Sequence, residues 1–108
     1  LNGGLTSTNA SHTVTSASTD LTSASTGYGA QVVTATQTTG GPFSAVAPFN
    51  VAGNNIGALS TSLQEVLTSS TPVFGASATI RFKAKVNFDT PAETDYADTV
   101  TVVAAMNY

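Results

Sequence analysis

The stretch ATIRFKAKVNF, residues 78–88, alternates apolar and polar side chains without interruption and holds every lysine and arginine of the chain. Side chains along a strand point to opposite faces with a period of two. The pattern therefore predicts a β-strand with Ala76, Ala78, Ile80, Phe82, Ala84, Val86 and Phe88 on a dry face. Ser77, Thr79, Arg81, Lys83, Lys85 and Asn87 fall on a wet one. Such alternation belongs to antiparallel sheets that are covered on one side only, and it decides the fold class.

Working outward, DTPAETDYAD (89–98) reads as a turn and TVTVVAAMNY (99–108) as a last strand, so a hairpin is expected between 77–88 and 97–107. Upstream, YGAQVVTATQTT predicts a strand over about 30–38 that ends at Gly40, Gly41 and Pro42. FSAVAPFNVA is a second apolar segment, and Pro48 places it at an edge or a bend because proline cannot donate to a ladder. GNNIG reads as a turn. Leu59, Leu63, Val66 and Leu67 follow helical spacing, and Ser62 stands three before Glu65 as in a capping box, so one short helix is expected there. Short strands punctuated by Gly, Pro and Asn predict an all-β, antiparallel Ig-like β-sandwich or small barrel.

Residues 1–27 are almost wholly small and hydroxylated. Beyond Leu1, only Leu5, Val14 and Leu21 are large and apolar. Alone, such a segment buries too little to offset chain entropy, so it is expected as an extended N-terminal arm on a sandwich domain of residues 28–108. Its threonines favour extended backbone, and Ala10, His12 and Val14 share one face, which makes the arm a candidate donor strand.

The chain has 108 residues, enough for one core. Charged residues are 8 % of it, where an ordinary soluble domain has about a quarter. So neutral a surface points to neighbours, glycans or an extracellular setting. A net charge of −3 with three cations on one strand argues against nucleic acid as a partner. The absence of cysteine excludes disulfides and thiolate sites. No apolar run is long enough for membrane insertion. Leu1 in first place is what a chain relieved of its leader would show.

No enzyme is expected. His12 is the only histidine, it lies in the arm, and no serine sits in a nucleophile-elbow motif. No cofactor is expected either. Asp89, Glu93, Asp95 and Asp98 gather four of the six acidic residues in one turn and form a candidate calcium cluster, set against the ordinary use of carboxylates in solvated turns. Asn9-Ala10-Ser11 is a glycosylation sequon, making Asn9 a candidate modification site. Without tryptophan and with three tyrosines, a stacking platform for sugars is poorly supplied. The stripe of Arg81, Lys83 and Lys85 either protects an exposed strand from edge pairing or meets the acidic turn, or Asp20, of an adjacent subunit.

The run TPAETDYADTVTVVAAMNY, residues 90–108, resembles the closing segment of secreted prokaryotic β-sandwiches such as spore coat protein U domains and archaic chaperone-usher pilins. Pro91, Ala92, Tyr96, Asp98, Thr99, Val100 and Tyr108 stand at the matching places, although the cysteines common in those pilins are missing. The resemblance implies an Ig-like sandwich completed by a strand donated from the next subunit. Residues near Ala10, His12 and Val14 would then enter a groove lined by Ile80, Phe82 and Val100 of a second copy. The expected function is a structural subunit of an extracellular, cell-surface filament or layer, whose partners are copies of itself and, secondarily, glycans. The alternatives are a secreted carbohydrate- or calcium-binding module and a viral or phage coat or fibre domain.

Overall fold

The computed structural model describes residues 4–104. Within them the fold is all-β. Its strands are β1 (Leu5–Ser7), β2 (His12–Val14), β3 (Thr19–Asp20), β4 (Gly27–Thr36), β5 (Thr39–Gly40), β6 (Phe43–Ala45), β7 (Asn55–Ile56), β8 (Leu67–Ser69), β9 (Val73–Phe74) and β10 (Ser77–Lys85). They pair antiparallel as β1–β2, β3–β7, β4–β10, β5–β9 and β6–β8. The sheets do not close into a barrel, an arrangement consistent with a sandwich-like class. No helix among these residues is long and apolar enough to cross a membrane.

Strand β4 is the centre of the molecule. Its first six residues, Gly27 to Val32, are buried, because β10 lies along one side and the chain around Phe49 and Gly57 along the other. Ala30 exchanges backbone hydrogen bonds with Gly57 at 3.0 and 2.7 Å. That close approach needs glycine at position 29, where an added Cβ would sit 2.4 Å from the Gly57 carbonyl oxygen. Ala30, Val32 and the fully buried Phe49 form the core. Ala35, Ala45, Leu59, Val66, Leu67 and Ile80 pack around them.

The β4–β10 register runs from Gly27 opposite Lys85 to Val32 opposite Ile80, then resumes at Thr34 opposite Thr79. Val33 is left as the extra residue of a bulge, a device that bends a strand and re-aims its side chains. The partner of β10 is thus β4 and not the expected strand over 97–107. Residues 99–104 form no strand, and 105–108, with Tyr108 among them, lie outside the described residues.

The expected helix is absent. Leu59 and Val66 pack against the core while Leu63 is 86 % exposed, so the four apolar residues do not share a helical face. Gln64 takes up backbone groups a helix would use: its Nε2 donates to the Ala58 carbonyl at 3.0 Å and its Oε1 accepts from Ser60 N at 2.9 Å. Leu67 enters β8 opposite Ala45.

The segment expected as an arm is, from residue 4, folded onto the rest of the chain. β1 and β2 form a hairpin, and Thr6 exchanges two backbone hydrogen bonds with Ala97 at 3.0 and 3.1 Å. Ser16 bridges Tyr28, and β3 pairs β7. The hydroxyl-rich sequence folds because partners far along the chain complete its ladders.

Only Val14, Tyr28, Ala30, Val32, Phe49 and Ile56 are buried hydrophobic residues among those described. The radius of gyration is 15.6 Å, where a compact domain of this length has about 13 Å. The accessible surface is 7024 Å² for 10.8 kDa, against roughly 5,500 Å² from size scaling. The fold is thinly filled for its length.

Candidate functional site

Among the described residues, β10 has one covered edge and one free edge. Beyond its ladder with β4, no backbone hydrogen bond among the described residues reaches it. The face that alternation marks as dry divides in two. Ala78 and Ile80 are half-buried beside the core, but Phe82 is 46 % exposed and Ala84 is exposed. Val86, just past the strand, and Phe88, in the turn that follows, are exposed as well. A free sheet edge beside a row of uncovered apolar side chains is the arrangement that receives an added strand.

The wet face is correspondingly drier than expected. Lys83 and Lys85 are half-buried. Lys83 Nζ donates to the Gly53 carbonyl, and Lys85 Nζ to the Leu21 carbonyl at 2.7 Å. Their aliphatic stems lie along the sheet with the ammonium groups on loop carbonyls, so neither ammonium guards the free edge. Arg81, on the same face, is exposed. Asp20 accepts from Thr22 N at 2.8 Å. Its carboxyl is held below the ordinary 3.8, mainly by the Thr22 backbone and hydroxyl and secondarily by the charge of Lys85. Lys85 is thus the member of the stripe whose charge acts on Asp20 of its own chain.

Nor does the acidic turn converge on a cation. Among the described residues no group of three His, Asp or Glu side chains is placed to hold a metal ion. Asp95 accepts from Ser7 Oγ at 2.5 Å and from Asn9 N at 3.0 Å. Those donors hold its carboxyl below 3.8. Asp98 accepts from the Tyr28 hydroxyl at 3.0 Å. Burial, and then this bond and charge, push the Tyr28 phenol up to about 12. Glu93 Oε2 accepts from Asn9 Nδ2 at 3.5 Å. Asp89 stands apart, with His12, Thr13, Thr26 and Asn87, on the wall of an open cavity of about 230 Å³.

Of the candidate donor residues, Val14 is buried in the chain's own core at 3 % exposure. Ala10 is half-buried, and His12 meets Tyr96 edge-to-face with ring centroids 6.4 Å apart. Of the candidate groove residues, Ile80 and Phe82 share one face of β10, whereas Val100 belongs to the unpaired segment that follows Asp98. Asn9 is exposed near the turn between β1 and β2. Sequence reasoning missed the Ser7–Asp95 and Tyr28–Asp98 pairs. The one available signal was Tyr28 itself, since a buried tyrosine needs a partner for its hydroxyl. It missed Gln31 as well, buried with its amide on the Gly53 and Asn55 carbonyls at 3.2 and 3.1 Å.

No family model, curated protein or solved structure matches this chain.

Proposed function

We propose that this protein is a non-enzymatic structural subunit of an extracellular filament or surface layer, an Ig-like sandwich completed by strand addition from another copy. The observation that carries this reading is the edge of β10 left free among the described residues, beside the exposed Phe82 and Val86. Long free edges invite pairing, and monomers blunt them with charge, proline or cover. Here the two lysines are turned to the Gly53 and Leu21 carbonyls, and the edge carries no proline. The low charge of the chain and the resemblance of residues 90–108 to secreted sandwich subunits point the same way.

Phe82→Glu tests it. The side chain is half exposed, so the substitution leaves the core of Ala30, Val32 and Phe49 intact while placing a charge where the added strand would lie. Wild-type protein at high concentration is expected to give regular filaments by electron microscopy, and Phe82→Glu only single particles. A wild type that remains monodisperse under all conditions removes the assembly reading.

A further inference from the structure

We infer that the strand completing β10 is supplied by residues 99–104 of a second copy, with Val100 and Val102 covering Phe82 and Val86. The inference rests on the assembly reading above and names the donor. Residues 99–103 are Thr, Val, Thr, Val and Val, an unbroken β-branched run of high strand preference. Yet they form no strand, and their backbone makes no backbone hydrogen bond with the described residues. Val100, Val102 and Val103 are 45 %, 79 % and 62 % exposed. With a period of two, Val100 and Val102 fall on one face and can meet the apolar line of β10 together.

The N-terminal hairpin is in a different position. Ser7 is fully buried, Val14 nearly so, and Thr6 is already paired with Ala97. Donating that hairpin would take these residues out of their own fold, while donating 99–104 breaks nothing. Closure of 99–104 onto β10 of the same chain is disfavoured for a related reason. The base of the segment is fixed elsewhere, by the two Thr6–Ala97 backbone bonds and by Asp98 on the Tyr28 hydroxyl. A hairpin over 77–88 and 97–107 would have to give up the Ala97 pairing.

Among the described residues each copy thus offers one free edge and one unpaired segment, and a head-to-tail pairing of that kind propagates. Surface area agrees. The 7024 Å² exposed exceeds size scaling by roughly 1,500 Å², and a standard interface buries about 1,600 Å² in total. The segment carries no charge, and both lysines of β10 are directed to carbonyls of their own chain, so nothing repels the approach.

The experiment is sedimentation of the full chain over a range of concentrations, wild type against Val102→Pro, with a free peptide of sequence TVTVVA as competitor. Proline removes a ladder donor in a segment that contributes to no strand, so the domain keeps its fold and its Tm. Wild type is expected to sediment as multiples of 10.8 kDa. Val102→Pro is expected to stay at one copy, and the peptide to lower the mean mass of wild-type assemblies. Assembly of Val102→Pro equal to wild type, with Phe82→Glu still blocked, overturns the donor assignment and leaves strand addition at β10 standing. A wild type that never assembles overturns both. A monomeric wild type whose Tm falls on Val102→Pro substitution shows the segment closing its own β10, and overturns the inference as well.

Discussion

Ser7 and Asp95, 88 positions apart, are joined by a 2.5 Å hydrogen bond in which a fully buried hydroxyl donates to Asp95 Oδ1. The same hydroxyl accepts from Ala10 N at 3.0 Å, and the second carboxylate oxygen accepts from Asn9 N. One serine and one aspartate thus fasten the turn of the N-terminal hairpin to the loop that leads into residues 99–104.

That latch is acid-sensitive. The donors at Ser7 and Asn9 hold the Asp95 carboxyl below 3.8, so its contribution is present above that value and is lost as pH falls through the lower folded-state value. The protection factors of the Asn9 and Ala10 amides, taken against their intrinsic exchange rates at each pH, are expected to fall on acidification. Asp95→Asn is expected to show fast exchange already at neutral pH, with no further acid step from this group. Full amide protection in Asp95→Asn at neutral pH means that something else orders the hairpin.

Tyr28 behaves in the opposite sense. Its phenol is raised from 10.0 to about 12 by burial and by Asp98. The stabilisation is complete below the unfolded value and disappears as pH rises through about 12. In an alkaline titration of tyrosine absorbance, a late step is expected that Tyr28→Phe abolishes and Asp98→Asn moves to lower pH. Persistence of the late step in Tyr28→Phe refutes the assignment.

Lys85 supports Asp20 less than Thr22 does. Lys85→Met is expected to raise the Asp20 pKa only part of the way to 3.8, because the Thr22 backbone and hydroxyl are the larger causes. Carboxyl chemical shifts followed against pH report this directly. Full recovery of the ordinary value in Lys85→Met means that the charge, not the hydrogen bonds, dominates.

Phe49 carries the core. It is fully buried against Ala30 and Val32, and truncating a buried phenylalanine to alanine costs about 3–5 kcal/mol. In a fold with so few buried hydrophobic residues, Phe49→Ala is expected to be largely unfolded at room temperature, as circular dichroism and denaturant melts will show. Retention of a cooperative melt near that of wild type would place the core elsewhere.

The alternation in residues 78–88 identified the longest-range strand correctly, since β10 spans Ser77–Lys85, and the run from Tyr28 identified β4. Both signals are local: a period of two survives in the sequence whatever the strand pairs with. The helix expected over 59–67 failed because helical spacing of Leu59, Leu63, Val66 and Leu67 is also produced by an extended chain that turns three of them inward and leaves Leu63 out, with Gln64 bonding the Ala58 and Ser60 backbone. Sequence proximity likewise does not say how the candidate calcium residues are used. Proximity in sequence put Asp89, Glu93, Asp95 and Asp98 together, whereas Ser7, Asn9 and Tyr28 divided three of them among separate donors.

The sequence by itself determined the β class, the turn at Asn54, the neutral surface, and which side chains of β10 alternate. Tertiary structure alone decided that β10 pairs with β4, that Lys83 and Lys85 bend onto loop carbonyls while Phe82 stays uncovered, and that the N-terminal hairpin is held within its own chain. The reason is that side-chain alternation is set by the backbone of one strand. Which face is dry depends on what packs against it, and those partners come from residues tens of positions away that no local pattern encodes.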